Sequence, residues 1–359
     1  MGRPHLLCAP DKFRGTATSG DLAAAGVAAA LAAGWSARAQ PLADGGEGLL
    51  DALGATRRYD VVTGPLGEPV RAGWALIPAS APPASGPRTA VIEMAAASGI
   101  GLVGGARGND AVRASTRGTG ELVLRAIEAG AQRIVVGCGG SATTDGGQGA
   151  VDVIGGPGAL AGVELVVASD VRTGFLDAAR VFGPQKGASA AEVVELSERL
   201  VALAEHYLES FGIDVPVLEG AGAAGGLAGG LAAIGAKIVS GFDLVADLVG
   251  LDQQIAKADL VVTGEGCLDK TSLEGKVVRG VLGRSAGKAR VLVIVGRTDG
   301  VSAADLAAAA GSYPGGVEVV SLSERFGAES AVGRPVELFG EVVAARVAAL
   351  PMDARFGRG

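Results

Sequence analysis

The sequence predicts an α/β protein made of two α/β domains, one of them discontinuous in the chain. Three observations predict this. Short β-branched runs alternate with Ala/Leu-rich helical stretches. The 359 residues are too many for one ordinary compact core. The closing third alternates strand and helix as the opening segment does, whereas the middle does not. The expected division is a discontinuous domain of residues 1–62 plus 256–359 and an inserted domain of residues 63–255 with a mixed sheet.

In chain order, His5 to Ala9 reads as a strand, and a helix follows to Ala33 with Thr18 or Ser19 as its cap. Tyr59 to Thr63, Arg71 to Ile77 and Thr89 to Met94 are strands with little helix between them, which calls for antiparallel pairing. The Pro/Ala/Ser segment from Pro78 to Pro87 is a loop. Gly118 to Gly130 is a helix ending in glycine, and Gln132 to Gly137 a strand. Ala190 to Phe211 is a long amphipathic helix with Val193, Leu196, Leu200, Leu203 and Tyr207 on one face. Strands over Leu260 to Thr263, Arg290 to Val295 and Val317 to Leu322 then alternate with helices, one over Lys276 to Ser285 and the last ending at Leu350. Asp21 and Asp243 read as helix caps.

Composition narrows the function. Hydrophobic residues are 48% and charged residues 19%, enough for a sizeable core. A net charge of −7 argues against nucleic acid and membrane surfaces as partners. The N-terminus runs straight into a strand with no apolar leader, and the Leu22 to Trp35 stretch is too short to span a bilayer. Cys8, Cys138 and Cys267 are far apart in sequence, which gives neither a disulfide framework nor a zinc site. His5 and His206 are the two histidines, and His206 falls in the long helix, where a structural role is expected. The chemistry therefore falls to carboxylates, lysines and glycine loops, the kit of a cytoplasmic enzyme.

Sixty glycines exceed what turns require. They gather in segments that also carry charge: Ala9 to Thr16 (APDKFRGT), Ala43 to Gly48 (ADGGEG), Gly137 to Gly147 (GCGGSATTDGG), Phe182 to Ala188 (FGPQKGA) and Gly264 to Lys270 (GEGCLDK). The first, third and fifth follow strands, which places them at the carboxyl edge of a sheet, where α/β proteins bind ligands. Glycine there lets backbone N–H groups approach phosphate oxygens. Neighbouring carboxylates suit magnesium, and lysine neutralises charge on a transferring group. Seven of the 31 basic residues are lysine. Four of them (Lys12, Lys186, Lys270, Lys276) lie in or beside these loops, where a compact point charge is useful. Ordinary turn chemistry explains any one loop as well as ligand binding does. No segment fits GxxxxGK[ST], which excludes a P-loop. Gly220 to Gly225 fits GxGxxG after the strand-like Val215 to Leu218, with Asp243 downstream, which opens an NAD-type oxidoreductase as an alternative. The glycine run continues through Gly226, Gly229 and Gly230, and close helix packing is the reading preferred for it.

Taken in order, APDKFRGT, PLADGGEG, GGSATTDGG, FGPQKGA, GAGAAGGL and DLVVTGEG…D…GK resemble the type I glycerate kinase family along nearly the whole chain. The resemblance implies two α/β domains about a cleft, ATP and Mg2+ as co-substrates, and D-glycerate as the acceptor, with 2-phosphoglycerate as product. On that reading Asp170 or Asp145 takes the acceptor hydroxyl's proton, and Lys186 joins them as a catalytic residue. Asp11, Lys12, Arg14 and Ser141 hold the acceptor. Gly139, Gly140, Gly264, Glu265, Gly266 and Lys276 contact nucleotide phosphates, and Asp44, Glu47 and Asp269 serve the metal. The chain departs from the family at four places. Val171-Arg172-Thr173-Gly174 stands where an Asn-Pro-Leu turn is usual after Asp170, Cys267 replaces an arginine, Thr271-Ser272 replaces Gln-Thr, and Arg14 replaces a lysine. These departures bear on substrate choice, and they open a second alternative, a catalytically weak ligand-binding or regulatory relative.

Overall fold

A computed structural model describes residues 3–79, 86–270, 272, 277–302, 305–306 and 316–350. The chain divides into two compact units. One comprises Met1–Asp44, Asp51–Leu53 and Phe242–Gly359, the other Gly45–Leu50 and Gly54–Gly241. We call them the discontinuous and the inserted unit. The joins differ from the expected 62/63 and 255/256. Residues 57–62 go with the inserted unit because β3 (Arg57–Thr63) pairs along its whole length with β4 (Pro69–Ile77) as an antiparallel hairpin.

The inserted unit carries a six-stranded sheet in the order β3-β4-β5-β6-β7-β8, with β5 at Thr89–Glu93, β6 at Arg133–Gly137, β7 at Glu164–Ala168 and β8 at Lys237–Val239. The hairpin end is antiparallel, and β5 to β8 run parallel. The sheet is therefore mixed, the usual result of adding a meander to a doubly wound core. The helix Ala190–Phe211 has the expected bounds for local reasons. Ser189 and Glu192 form a reciprocal capping box at its start, and Gly212 closes it at φ 72°. It buries Leu196, Leu200, Leu203, Ala204 and Tyr207.

The discontinuous unit carries a wholly parallel sheet in the order β11-β10-β9-β1-β2, with β1 at His5–Cys8, β2 at Ser36–Ala39, β9 at Leu260–Leu268, β10 at Arg290–Thr298 and β11 at Val317–Ser321. Central strands buried on both faces read as unbroken apolar runs, as Val291 to Val295 does. Its core joins Leu6, Leu22, Val262, Ile294 and Phe339. The helix Ser19–Ala32 is capped by Thr18, whose Oγ1 accepts from the Asp21 N–H; Asp21 is a first-turn acid and not the cap. Asp243 likewise lies in the first turn of the helix Gly241–Leu248, where its carboxylate accepts from Arg284 at 2.9 Å.

Two segments differ in kind from expectation. Gly264, Glu265 and Gly266, read as a loop, lie inside β9, which continues to Leu268 beside β10. Gly264 allows this, since a Cβ there would collide with the Ile294 carbonyl. Val215–Val217 is a short 3-10 helix with Pro216 at its start, so the GxGxxG segment lacks the strand that a dinucleotide fold requires. Its glycines pack instead: Gly222 lies against the Gly174 carbonyl, and Gly226 against Gly146 and Phe175. No described helix is long and apolar enough to cross a membrane.

Candidate active site

In the discontinuous unit the loop after β1 rests on the end of β9. The Asp11 N–H donates to the Gly264 carbonyl at 2.8 Å, and Thr263 Oγ1 donates to the Ala9 carbonyl at 2.8 Å. A Cβ on Gly266 would stand 3.2 Å from the Phe13 Cα, so glycine sets how close loop and strand come. The result is a cleft of about 440 Å³ lined by Asp11, Lys12, Arg14, Asp44, Glu265, Gly266 and Asp269 among the expected site residues. Gly264 stands one residue deeper in the same strand. That size suits a small molecule or a nucleotide.

The cleft is electrostatically mixed. Asp11 is pushed up to about 7, first by burial and then by the charge of Asp44, with Lys12 and Arg14 pulling the other way. One of its oxygens accepts from the Lys12 N–H at 2.7 Å. Asp269 forms a local turn, accepting from the Ser272 N–H at 3.2 Å. Lys276 lies outside the described residues. Among the described residues no three His, Cys, Asp or Glu side chains gather as a metal cage. Mg2+ does not need one, because it commonly takes one or two carboxylates, retained waters and substrate phosphates. Two carboxylates close enough to raise a pKa suit that oxygen-seeking ion. Asp44 and Glu47, expected together at the metal, belong to different units.

In the inserted unit the carboxyl ends of β6 and β7 meet the Gly45-Gly46-Glu47 segment. Gly137 and Gly139 pack directly on Gly45 and Gly46, and Gly45 packs on Ala168 and Gly241. Gly140 continues the turn at φ 65°, and Ser141, nearly buried, bridges to Gly99. Asp170 follows β7 and is half-buried; its Oδ1 accepts from Ser240 Oγ and from the Gly241 N–H, both at 2.9 Å. Glu47 is exposed at the same edge.

Asp145 has a different environment. It is buried and accepts four hydrogen bonds, from the Thr116 N–H and Oγ1 at 2.8 Å each, the Gly147 N–H at 3.2 Å and the Gly149 N–H at 3.3 Å. Burial raises its pKa and these donors oppose the rise. Lys186 is also buried; its Nζ donates to the Thr143 carbonyl at 2.6 Å. Burial lowers the amine to about 7 against the charge of Asp145. The structure thus joins Asp145 and Lys186 around one loop.

Sequence reasoning missed two parts of this network. Thr116 meets Asp145 with both its N–H and its hydroxyl. Asn109 donates both amide protons, to the Ala142 and Lys186 carbonyls at 2.9 Å each, tying the Gly139–Gly147 loop to the Lys186 loop. Bonds to distant backbone carbonyls leave no pattern in sequence.

The chain matches the model of the glycerate kinase family over residues 6–158 and 151–324. It is 42% identical over 277 residues to a glycerate 2-kinase of Escherichia coli strain K12, covering 67% of this chain and 71% of that one. It is 37% identical over 340 residues to a glycerate kinase of Bacillus subtilis strain 168, covering 83% and 85%. A crystal structure of a Salmonella typhimurium LT2 protein carrying the name glycerate kinase 2 superposes with a TM-score of 0.75 at 30% identity, over 97% of this chain and 99% of that one. The chain belongs to the glycerate kinase family and is a kinase that acts on a hydroxyl group.

Proposed function

We propose that the chain moves the γ-phosphoryl group of ATP to a hydroxyl of D-glycerate, giving 2-phosphoglycerate and ADP. The observation that carries the reading is the cleft of the discontinuous unit, where Asp11, Lys12, Arg14, Asp44, Glu265, Gly266 and Asp269 line one cavity. Cations and paired carboxylates in one concave site suit an anionic acceptor and a metal-bound phosphate group. The name of the E. coli relative, a glycerate 2-kinase, supports transfer to the 2-hydroxyl.

Asp170 is the better base of the two aspartates. Asp145 is buried among four donors of its own unit, whereas Asp170 is half-buried and reached by solvent just after β7. In the reaction Asp170 accepts the hydroxyl proton and the freed oxygen bonds to the γ-phosphorus. The bond from that phosphorus to the bridging oxygen breaks, and ADP leaves with the electron pair. Lys12 and Arg14 hold the acceptor's carboxylate. Asp11 and Asp44, with Asp269, would hold Mg2+, which supplies positive charge to the phosphate oxygens. Lys186 and Asn109 keep the Gly139–Gly147 loop in shape, so that its N–H groups face phosphate.

The test is ATP consumption by the purified chain with D-glycerate, L-glycerate, other short hydroxy acids, or no acceptor, with and without Mg2+. Turnover that needs both D-glycerate and Mg2+ is expected, with 2-phosphoglycerate identified by NMR. Turnover with another acid moves the acceptor assignment. ATP binding without turnover on any acceptor favours the catalytically weak reading instead.

A further inference from the structure

The cleft of the discontinuous unit contains a cation outside the expected set. Arg297 lies on β10, and its Cα pairs with that of Cys267 on β9; both residues line the cavity. The backbone that carries it is fixed on both sides. The ladder continues to Thr298 opposite Leu268, and the Asp299 N–H donates to the Leu268 carbonyl at 2.8 Å. Thr298 Oγ1 donates to Glu324 at 2.8 Å. A Cβ on Gly296 would stand 2.5 Å from the Gly266 carbonyl, so the strands approach closely just before Arg297. The guanidinium is therefore carried by a rigid strand, which suits a group that must recognise geometry.

Little among the described residues holds that guanidinium. Among the described residues its ion pair is with Asp299 at 3.2 Å, the side chains being 60% and 65% exposed. A pair so solvated contributes little and does not immobilise either partner. Lys12 and Arg14, by contrast, stand close enough to Asp11 to lower its pKa. Cys267, opposite Arg297, is a thiol, a weak acceptor that does not compete for a guanidinium.

We propose that Arg297 is a specificity-determining residue, binding an anionic oxygen group of a substrate in this cleft through its planar fork. The shared chemistry is a carboxylate on the acceptor or a phosphate on the nucleotide, both of which accept two parallel N–H bonds. This rests on reading the cleft as the kinase's substrate site.

Calorimetric titration of the full chain with D-glycerate and, separately, with ATP tests the assignment. Arg297→Gln weakens one of the two by about tenfold or more, Arg297→Lys recovers part of the loss, and Asp299→Asn binds as the wild type does. A loss confined to D-glycerate assigns the carboxylate; one confined to ATP assigns a phosphate. The inference is overturned if Arg297→Gln binds both ligands within about twofold of wild type. It is equally overturned if Asp299→Asn loses as much as Arg297→Gln, or if the wild type binds neither. Turnover is a separate readout. A wild type that converts D-glycerate while Arg297→Gln binds normally ends this inference and leaves the kinase reading standing. A wild type that binds both ligands and converts nothing ends the kinase reading alone.

Discussion

Asp11 in the discontinuous unit and Lys186 in the inserted unit are both drawn to about 7, from opposite directions and for different reasons. Asp11 stands in a cleft, lifted by burial and by a second carboxylate; a cation between the two would relieve both effects. Lys186 is sealed against the Thr143 carbonyl, lowered by dry burial with Asp145 pulling it back. One environment opens on a cavity, and the other is closed within its own fold. A perturbed pKa marks a functional site only when the perturbing groups also face open space. By that criterion Asp11 and its cleft fit the proposed chemistry, whereas Asp145 and Lys186 fit a scaffold.

The most severe way to break this contrast is at the two aspartates. Asp170→Asn keeps the side chain's shape but cannot take a proton, so kcat should fall by about a hundredfold or more, with the melting temperature close to wild type. An Asp170→Asn enzyme with near-normal kcat would return the base role to Asp145. Asp145→Ala should act on stability instead. It strands the Thr116, Gly147 and Gly149 donors in a buried site, at a cost of about 3 kcal/mol in urea unfolding. A loss below about 1 kcal/mol would mean that water replaces the carboxylate, and that the residue is not the scaffold described.

What could be read in the sequence follows from how local each cause is. The helix Ala190–Phe211 was legible to the residue because its capping box, apolar stripe and terminal Gly212 all lie within the segment. The course of β9 past Thr263 was not. Gly264-Glu265-Gly266 has loop composition, and it is strand only because Ile294 and the Phe13 loop press on it from far along the chain. The false strand at Val215 to Leu218 came from β-branched residues whose propensity Pro216 overrides. The glycine-charged segments were visible, but their partners were not. Nothing near Asp145 in sequence points to Thr116, and nothing near Cys267 points to its register partner Arg297.

The smallest effect sharpens the contrast from the side of Lys186. Its folded pKa lies below the unfolded value, so the native state gives up the proton first. Between about pH 7 and the ordinary lysine range the unfolded chain holds one more proton, and stability rises with pH. One such group adds about 1 kcal/mol from pH 7 to pH 8. Below that window both states are protonated and the cost of burying the charged amine is fully present. Lys186→Met removes the titration, so wild-type stability minus variant stability should climb across pH 7 to 9 in urea unfolding, whatever the absolute loss of the Thr143 bond. A flat difference would mean that the amine stays charged in the fold. Lys186 would then be a charged group beside Asp145, and the scaffold reading of this loop would give way to a catalytic one.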